Sequence, residues 1–284
     1  MRQLDVFFRR LSNDWHDRAV RRPSWLWQWS IQCAARAAAM ALPLAALLST
    51  QVAAAEEPVD TAIIFAVDQS ASIDRDIARL QLSGHVEALR SAEVARAIAS
   101  GAIGCIAISY IEWSSVGRLE TVLPWTRVCS AADAAGAADL IQKQGNDGLE
   151  PRGRGRTSIS YAIDVAGLLL GSYPGLAARK VIDISTNGTN NDGLPVSESR
   201  AKALELGHIV NGIAVSLTEP GVTDDLPGYL EHNVIAGAGS FVVAPSRPED
   251  YAMAIRRKLV LEISDGRAPG WILHASSELP PTIR

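Results

Sequence analysis

The sequence predicts an α/β protein of three layers, α/β/α, built on a doubly wound, mainly parallel sheet with one antiparallel edge strand. Three observations predict it: an apolar run, Thr61 to Val67, that stops at Asp68; strand-like and helix-like segments alternating to Ile263; and two early strands joined too closely for a crossover.

The run Thr61-Ala-Ile-Ile-Phe-Ala-Val67 lacks polar alternation, as expected of a central strand covered on both faces. From Asp74 to Arg90, Ile77, Leu80, Val86 and Leu89 recur at helical intervals, with acidic residues in the first turn and Arg90 near the end. Ile103 to Trp113 and Leu119 to Trp125 read as strands, and the short polar connection at Ser114, Ser115 and Gly117 requires them to be antiparallel. Then follow a helix from Ala131 to Gln142, a Gly/Arg-rich loop through Gly155, a helix from Ser158 to Leu170 and a strand from Lys180 to Ser185. The rhythm continues with a helix from Pro195 to Leu206, a strand from Ile209 to Ser216, a short helical stretch near Leu226 to Val234 and a strand from Ser240 to Val243. A helix from Pro248 to Ile263 closes it, with Pro248 suited to the first turn; the tail after Asp265 lacks a clear pattern.

Charge divides the chain. The first 55 residues hold seven Arg against three Asp, leaving 20 basic and 28 acidic residues beyond them. That acidic balance argues against a nucleic-acid binder driven by phosphate contacts. Basic residues as far as Arg36 precede the run Ala37-Ala-Ala-Met-Ala-Leu-Pro-Leu-Ala-Ala-Leu-Leu, and the small residues Val52-Ala-Ala-Ala55 follow. Residues 1–55 thus read as a signal peptide or leader, with a retained inner-membrane anchor as the alternative, and the pairs Arg9-Arg10 and Arg21-Arg22 leave the export route open. The expected organisation is a leader over 1–55, one domain over 56–265 and a tail over 266–284, in a periplasmic or secreted protein. Only Cys105 and Cys129 then remain in the mature chain, opposite one another about the hairpin turn; a cross-strand disulfide is expected, with two buried free thiols as the alternative.

In open α/β sheets, ligands sit beyond the carboxyl ends of the strands. Directly after the first strand comes Asp68-Gln69-Ser70-Ala71-Ser72, a carboxylate and two hydroxyls on a turn leading into a helix, an oxygen-rich set suited to Mg²⁺ or Mn²⁺. The plainer reading is a turn and a helix cap. Thr157, in Gly153-Arg-Gly-Arg-Thr157-Ser-Ile-Ser, follows a glycine-rich loop and opens an apolar helix, where a simple cap would also be at home.

The Asp-x-Ser-x-Ser run resembles the metal-ion-dependent adhesion site of von Willebrand factor A (vWA) domains, a Rossmann-like family, and the resemblance spans Val59 to Ser264. It implies Ser70 and Ser72 as direct metal ligands, Asp68 acting largely through water, and Thr157 as the ligand from a second loop. A third loop in that family supplies the Asp of a Thr-Asp-Gly sequence, whereas this chain reads Ile184-Ser-Thr-Asn187-Gly188. Asn187 accepts hydrogen bonds from a metal-bound water but brings no charge, so weakened cation binding is expected. Asp183 lies about 13 Å back along its strand, and Asp192 is the more reachable substitute. Glu112-Trp113, Pro124-Trp125 and the Asn-Gly-Thr-Asn-Asn-Asp-Gly loop look like a bacterial branch of these proteins termed domain of unknown function 1194.

The resemblance implies a protein-binding module in which the Asp or Glu of a partner completes the coordination of the ion. Arg152, Arg154 and Arg156 surround the second loop and would attract such a partner, although arginines among glycines also read as a solvated turn. The rival reading is a metal-free scaffold with a degenerate site. An enzyme is not expected: no G-x-S-x-G, H-E-x-x-H or P-loop pattern occurs, and His85, His208, His232 and His274 lack ligand spacing. A hydrolase using Ser70 or Ser72 would be revealed by fluorophosphonate labelling.

Overall fold

A computed structural model describes residues 57–149, 155–215, 225–264 and 273–274. Its centre is β1 (Val59–Asp68), almost wholly buried. Ile63, Phe65 and Val67 enter one core and Ala62, Ile64 and Ala66 the other, so the apolar run is explained by a strand with two covered faces.

The elements then run α1 (Arg75–Leu89), α2 (Ala92–Ala99), β2 (Ile106–Trp113), β3 (Leu119–Val128), α3 (Ala131–Gln144), α4 (Ile159–Gly171), β4 (Ala177–Thr186), α5 (Val196–Glu205), β5 (Ile209–Ala214), α6 (Leu226–Tyr229), β6 (Val242–Ala244), α7 (Tyr251–Ile263) and β7 (Leu273–His274). The sheet order is β3-β2-β1-β4-β5-β6-β7. Every pairing is parallel except β2 with β3, the antiparallel edge. On one face lie apolar residues of α1, α2, α3 and α7; on the other, those of α4, α5 and α6. Gly84 lets α1 approach α7 closely, because a Cβ there would come within 2.8 Å of the Tyr251 ring.

The expected fold class is the observed one, with local differences. Helix α2 is passed over by the sequence reading, although Ser91 caps it by accepting the Val94 amide at 3.3 Å. β2 starts at Ile106 rather than Ile103, since the Asp60 carboxylate gathers the amides of Ile103 and Gly104 at 2.9 and 2.8 Å into a turn. β3 runs on to Val128, with its register interrupted opposite Ile108 to Ile111 near Pro124, as an edge strand tolerates. Helix α6 continues as a π-turn over Leu230–Val234, and a 3₁₀ turn at Pro248–Asp250 precedes α7. The tail, expected to be patternless, supplies β7, pairing Leu273 and His274 with Val243 and Ala244; two residues are too few for a periodic signal.

Cys105 and Cys129, flanking the β2–β3 hairpin, form a disulfide. Among the described residues no helix is long and apolar enough to cross a membrane. The leader, Arg152 and Arg154 lie outside those residues.

Candidate metal-binding loop cluster

The carboxyl ends of β1 and β4, neighbours in the sheet, bring Asp68 and Thr186 side by side. Asp68 is fully buried, and the chain turns so that the Ser70 amide donates to its Oδ1 at 2.7 Å. Thr186 donates its hydroxyl to Asp68 Oδ2 at 2.7 Å. Burial pushes the Asp68 carboxyl up from its ordinary range, while the hydrogen bonds from Thr186 and Ser70 pull against that shift. Its donors, the hydroxyls of Thr186 and Ser70 and the backbone amides of Ser70 and Asn187, are all neutral.

The two serine hydroxyls face each other, Ser70 Oγ to Ser72 Oγ 3.2 Å. Ser72 Oγ donates to Asn187 Oδ1 at 2.8 Å, and Asn187 Nδ2 returns a bond to the Ser72 carbonyl at 3.0 Å, so the first and third loops are joined twice. Gln81 of α1 donates to the Asp68 carbonyl at 3.0 Å and accepts from Ser185 at 2.7 Å, fixing the strand ends from beneath.

Thr157 is brought to the same place. It is buried just ahead of α4, and a Cβ on Gly188 would stand 3.7 Å from its Oγ1. The residue before the second loop's ligand candidate, Arg156, is exposed and donates from Nη1 to the Asn191 carbonyl at 3.2 Å. Asp68, Ser70, Ser72, Thr157 and Asn187 therefore converge from three loops. Asp192 does not join them: its Oδ2 accepts the Val116 amide of the β2–β3 turn at 3.0 Å. Asp183 lies further back on β4, paired with Lys258 of α7.

Sequence reasoning missed Thr186, whose signal was its place between the end of an apolar strand and Asn187. It also missed Gln81, a polar residue on the buried face of an amphipathic helix.

This donor set is of one chemistry. Two hydroxyl oxygens 3.2 Å apart are close to the ~3 Å separation of adjacent ligands around Mg²⁺ bonded at about 2.1 Å. Ser72 gives its proton to Asn187 and keeps oxygen lone pairs for a cation. The residues fit a small, hard dication, with Asp68 supplying the negative charge. Among the described residues no three His, Cys, Asp or Glu gather into a metal-binding group.

The sheet order with its antiparallel edge, and loops gathered over the ends of β1 and β4, define a vWA-like α/β domain. The chain belongs to the family described as "Protein of unknown function (DUF1194)", whose model matches residues 58–267. No curated protein matches the sequence. Solved structures with a similar fold include proximal thread matrix protein 1 from the mussel byssus, at 17% identity over 74% of this chain and 50% of that one, with a TM-score of 0.52. The PilB minor pilin from Streptococcus sanguinis gives 14% identity over 73% of this chain and 62% of that one, with a TM-score of 0.51. A von Willebrand factor type A protein from Catenulispora acidiphila gives 15%, 72%, 43% and 0.47 in the same order. The chain thus spans half of the byssus protein's length and less than half of the Catenulispora protein's.

Proposed function

We propose that this chain is an exported vWA-like binding module in which Ser70, Ser72 and Thr157 hold Mg²⁺ or Mn²⁺ directly, with Asp68 and Asn187 acting through water. The ion supplies an open coordination position for an Asp or Glu of a protein partner. The observation that carries this reading is the convergence of four oxygen-bearing side chains, those of Ser70, Ser72, Thr157 and Asn187, from three loops around Asp68, whose own donors are neutral.

A non-enzymatic role fits the same geometry. His85 is buried against Phe65 and Tyr110 with its Nδ1 on the Gln81 carbonyl, so it is no base for Ser70 or Ser72. Export is supported by the Cys105–Cys129 disulfide, which belongs to an oxidising compartment such as the periplasm, and by the signal-like composition of residues 1–55. The byssus and pilin relatives in fold are described as a thread matrix protein and a minor pilin, in keeping with binding rather than catalysis.

One observation favours a second reading, a metal-free scaffold: the Ser72–Asn187 bond pair closes the cluster without an ion. The two are separated by melting the full chain after chelation and again with Mg²⁺ or Mn²⁺, beside an Asp68→Ala variant. The binding module predicts a cation-dependent rise in Tm that the variant lacks; no rise at millimolar ion supports the scaffold.

A further inference from the structure

The loop after Asn187 does something the metal-site pattern does not ask of it. Asn191 holds Thr157 at both backbone ends, its Oδ1 accepting the Thr157 amide at 2.8 Å and its own amide donating to the Thr157 carbonyl at 2.9 Å. Asn190 Oδ1 accepts the Ser160 amide at 3.0 Å. That amide lies in the first turn of α4, whose own N-cap residue Ser158 makes no side-chain capping bond, so the cap arrives from a different loop. Asp192 joins both neighbours, accepting the Ser158 hydroxyl on its carbonyl at 2.9 Å and the Val116 amide on Oδ2. The chain turns at Gly193 with φ +80°, where a Cβ would stand 2.6 Å from Ser158 Oγ.

We propose that Asn190, Asn191 and Asp192 form a clamp of positioning residues that sets the backbone from Thr157 to Ser160, and with it the Thr157 hydroxyl, against Asn187 and Gly188 before any ligand arrives. The physical reason is entropic: ordering the backbone around Thr157 costs free energy, and a segment ordered in advance spares that cost when a ligand binds. For the cation this inference rests on the binding reading above. The clamp offsets part of what Asn187 forgoes, since a site with one carboxylate attracts a dication less and a preset hydroxyl lowers the cost of binding it.

The test compares the full chain with Asn191→Ala and Asn191→Asp, the latter keeping an oxygen acceptor for the Thr157 amide. Hydrogen exchange in chelator reads the clamp without any metal, and Mn²⁺ titration followed by electron paramagnetic resonance reads the site. The clamp predicts that Asn191→Ala loses protection at the Thr157 amide and binds Mn²⁺ several-fold more weakly, and that Asn191→Asp restores both. Unchanged exchange in Asn191→Ala overturns the clamp. Changed exchange with unchanged Mn²⁺ affinity overturns its role in positioning the ligand. If the unaltered chain binds no Mn²⁺ while Asn191→Ala still loses protection, the clamp stands and the cation reading falls.

Discussion

Asp68 and Asp183 are both buried carboxylates on adjacent parallel strands, and the protein treats them oppositely. Asp183 is answered by a cation of the protein's own: Lys258 Nζ lies 2.5 Å from its Oδ1 and 2.5 Å from Glu262 Oε1, and Asn211 donates to the same Glu262 oxygen at 2.8 Å. Asp68 is answered by hydroxyls and amides. The first arrangement fastens α7 to β4 and β5. The second holds its carboxyl group in shape with neutral donors and gives it no cation of the protein among the described residues. Charge pairing therefore separates a structural acid from a candidate binding acid, although burial alone does not.

The comparison breaks most visibly at Lys258. Burial alone would lower its pKa, but the carboxylates of Asp183 and then Glu262 outweigh that and hold it above its ordinary value. Lys258→Met strands the buried Asp183 carboxylate, and denaturant unfolding is expected to show a loss of about 3–5 kcal/mol. Asp68→Ala leaves no such uncompensated charge and is expected to cost clearly less in chelator.

The pH dependence sharpens the contrast. Burial first, and then the Asp183 charge, push the Glu262 carboxyl from 4.5 to about 7, against the pull of Lys258 and Asn211. Between those values the folded chain keeps a proton that the unfolded chain has released, so stability falls as pH rises through the window, by on the order of 3 kcal/mol. Unfolding curves across that range should show the slope, and Glu262→Gln should flatten it. A slope that survives in Glu262→Gln assigns the proton to another group.

The smallest expected effect is at Asn187. Asn187→Asp puts a second charge beside Asp68, so it should lower the Tm in chelator and tighten Mn²⁺ binding roughly tenfold, about 1.4 kcal/mol. Titration of both chains with Mn²⁺ checks it; equal affinities would mean that position 187 does not reach the ion.

Much of this was legible in the sequence, for identifiable reasons. The uniform apolarity of Thr61 to Val67 betrays a two-faced central strand, and the close spacing of Trp113 and Leu119 dictates the antiparallel edge. The clustering of Ser70, Ser72, Thr157 and Asn187 follows from where strands end in such a sheet. Three features were not legible. β7 is too short for a period to appear. The roles of Asn190 and Asn191 lie in bonds to backbone amides 30 and 34 residues away, where side-chain identity signals only a turn. The partnership of Lys258 with Asp183 joins residues that share no local pattern, and on its helix Lys258 reads as a solvated charge.

The most direct test of the central claim, that the charge of Asp68 is left for an external cation, is the stoichiometry of Mn²⁺ on the chelated full chain, read by electron paramagnetic resonance beside Asp68→Ala. One ion per chain, lost in the variant, is the predicted result. No bound ion at millimolar Mn²⁺, or equal binding by the variant, would contradict it.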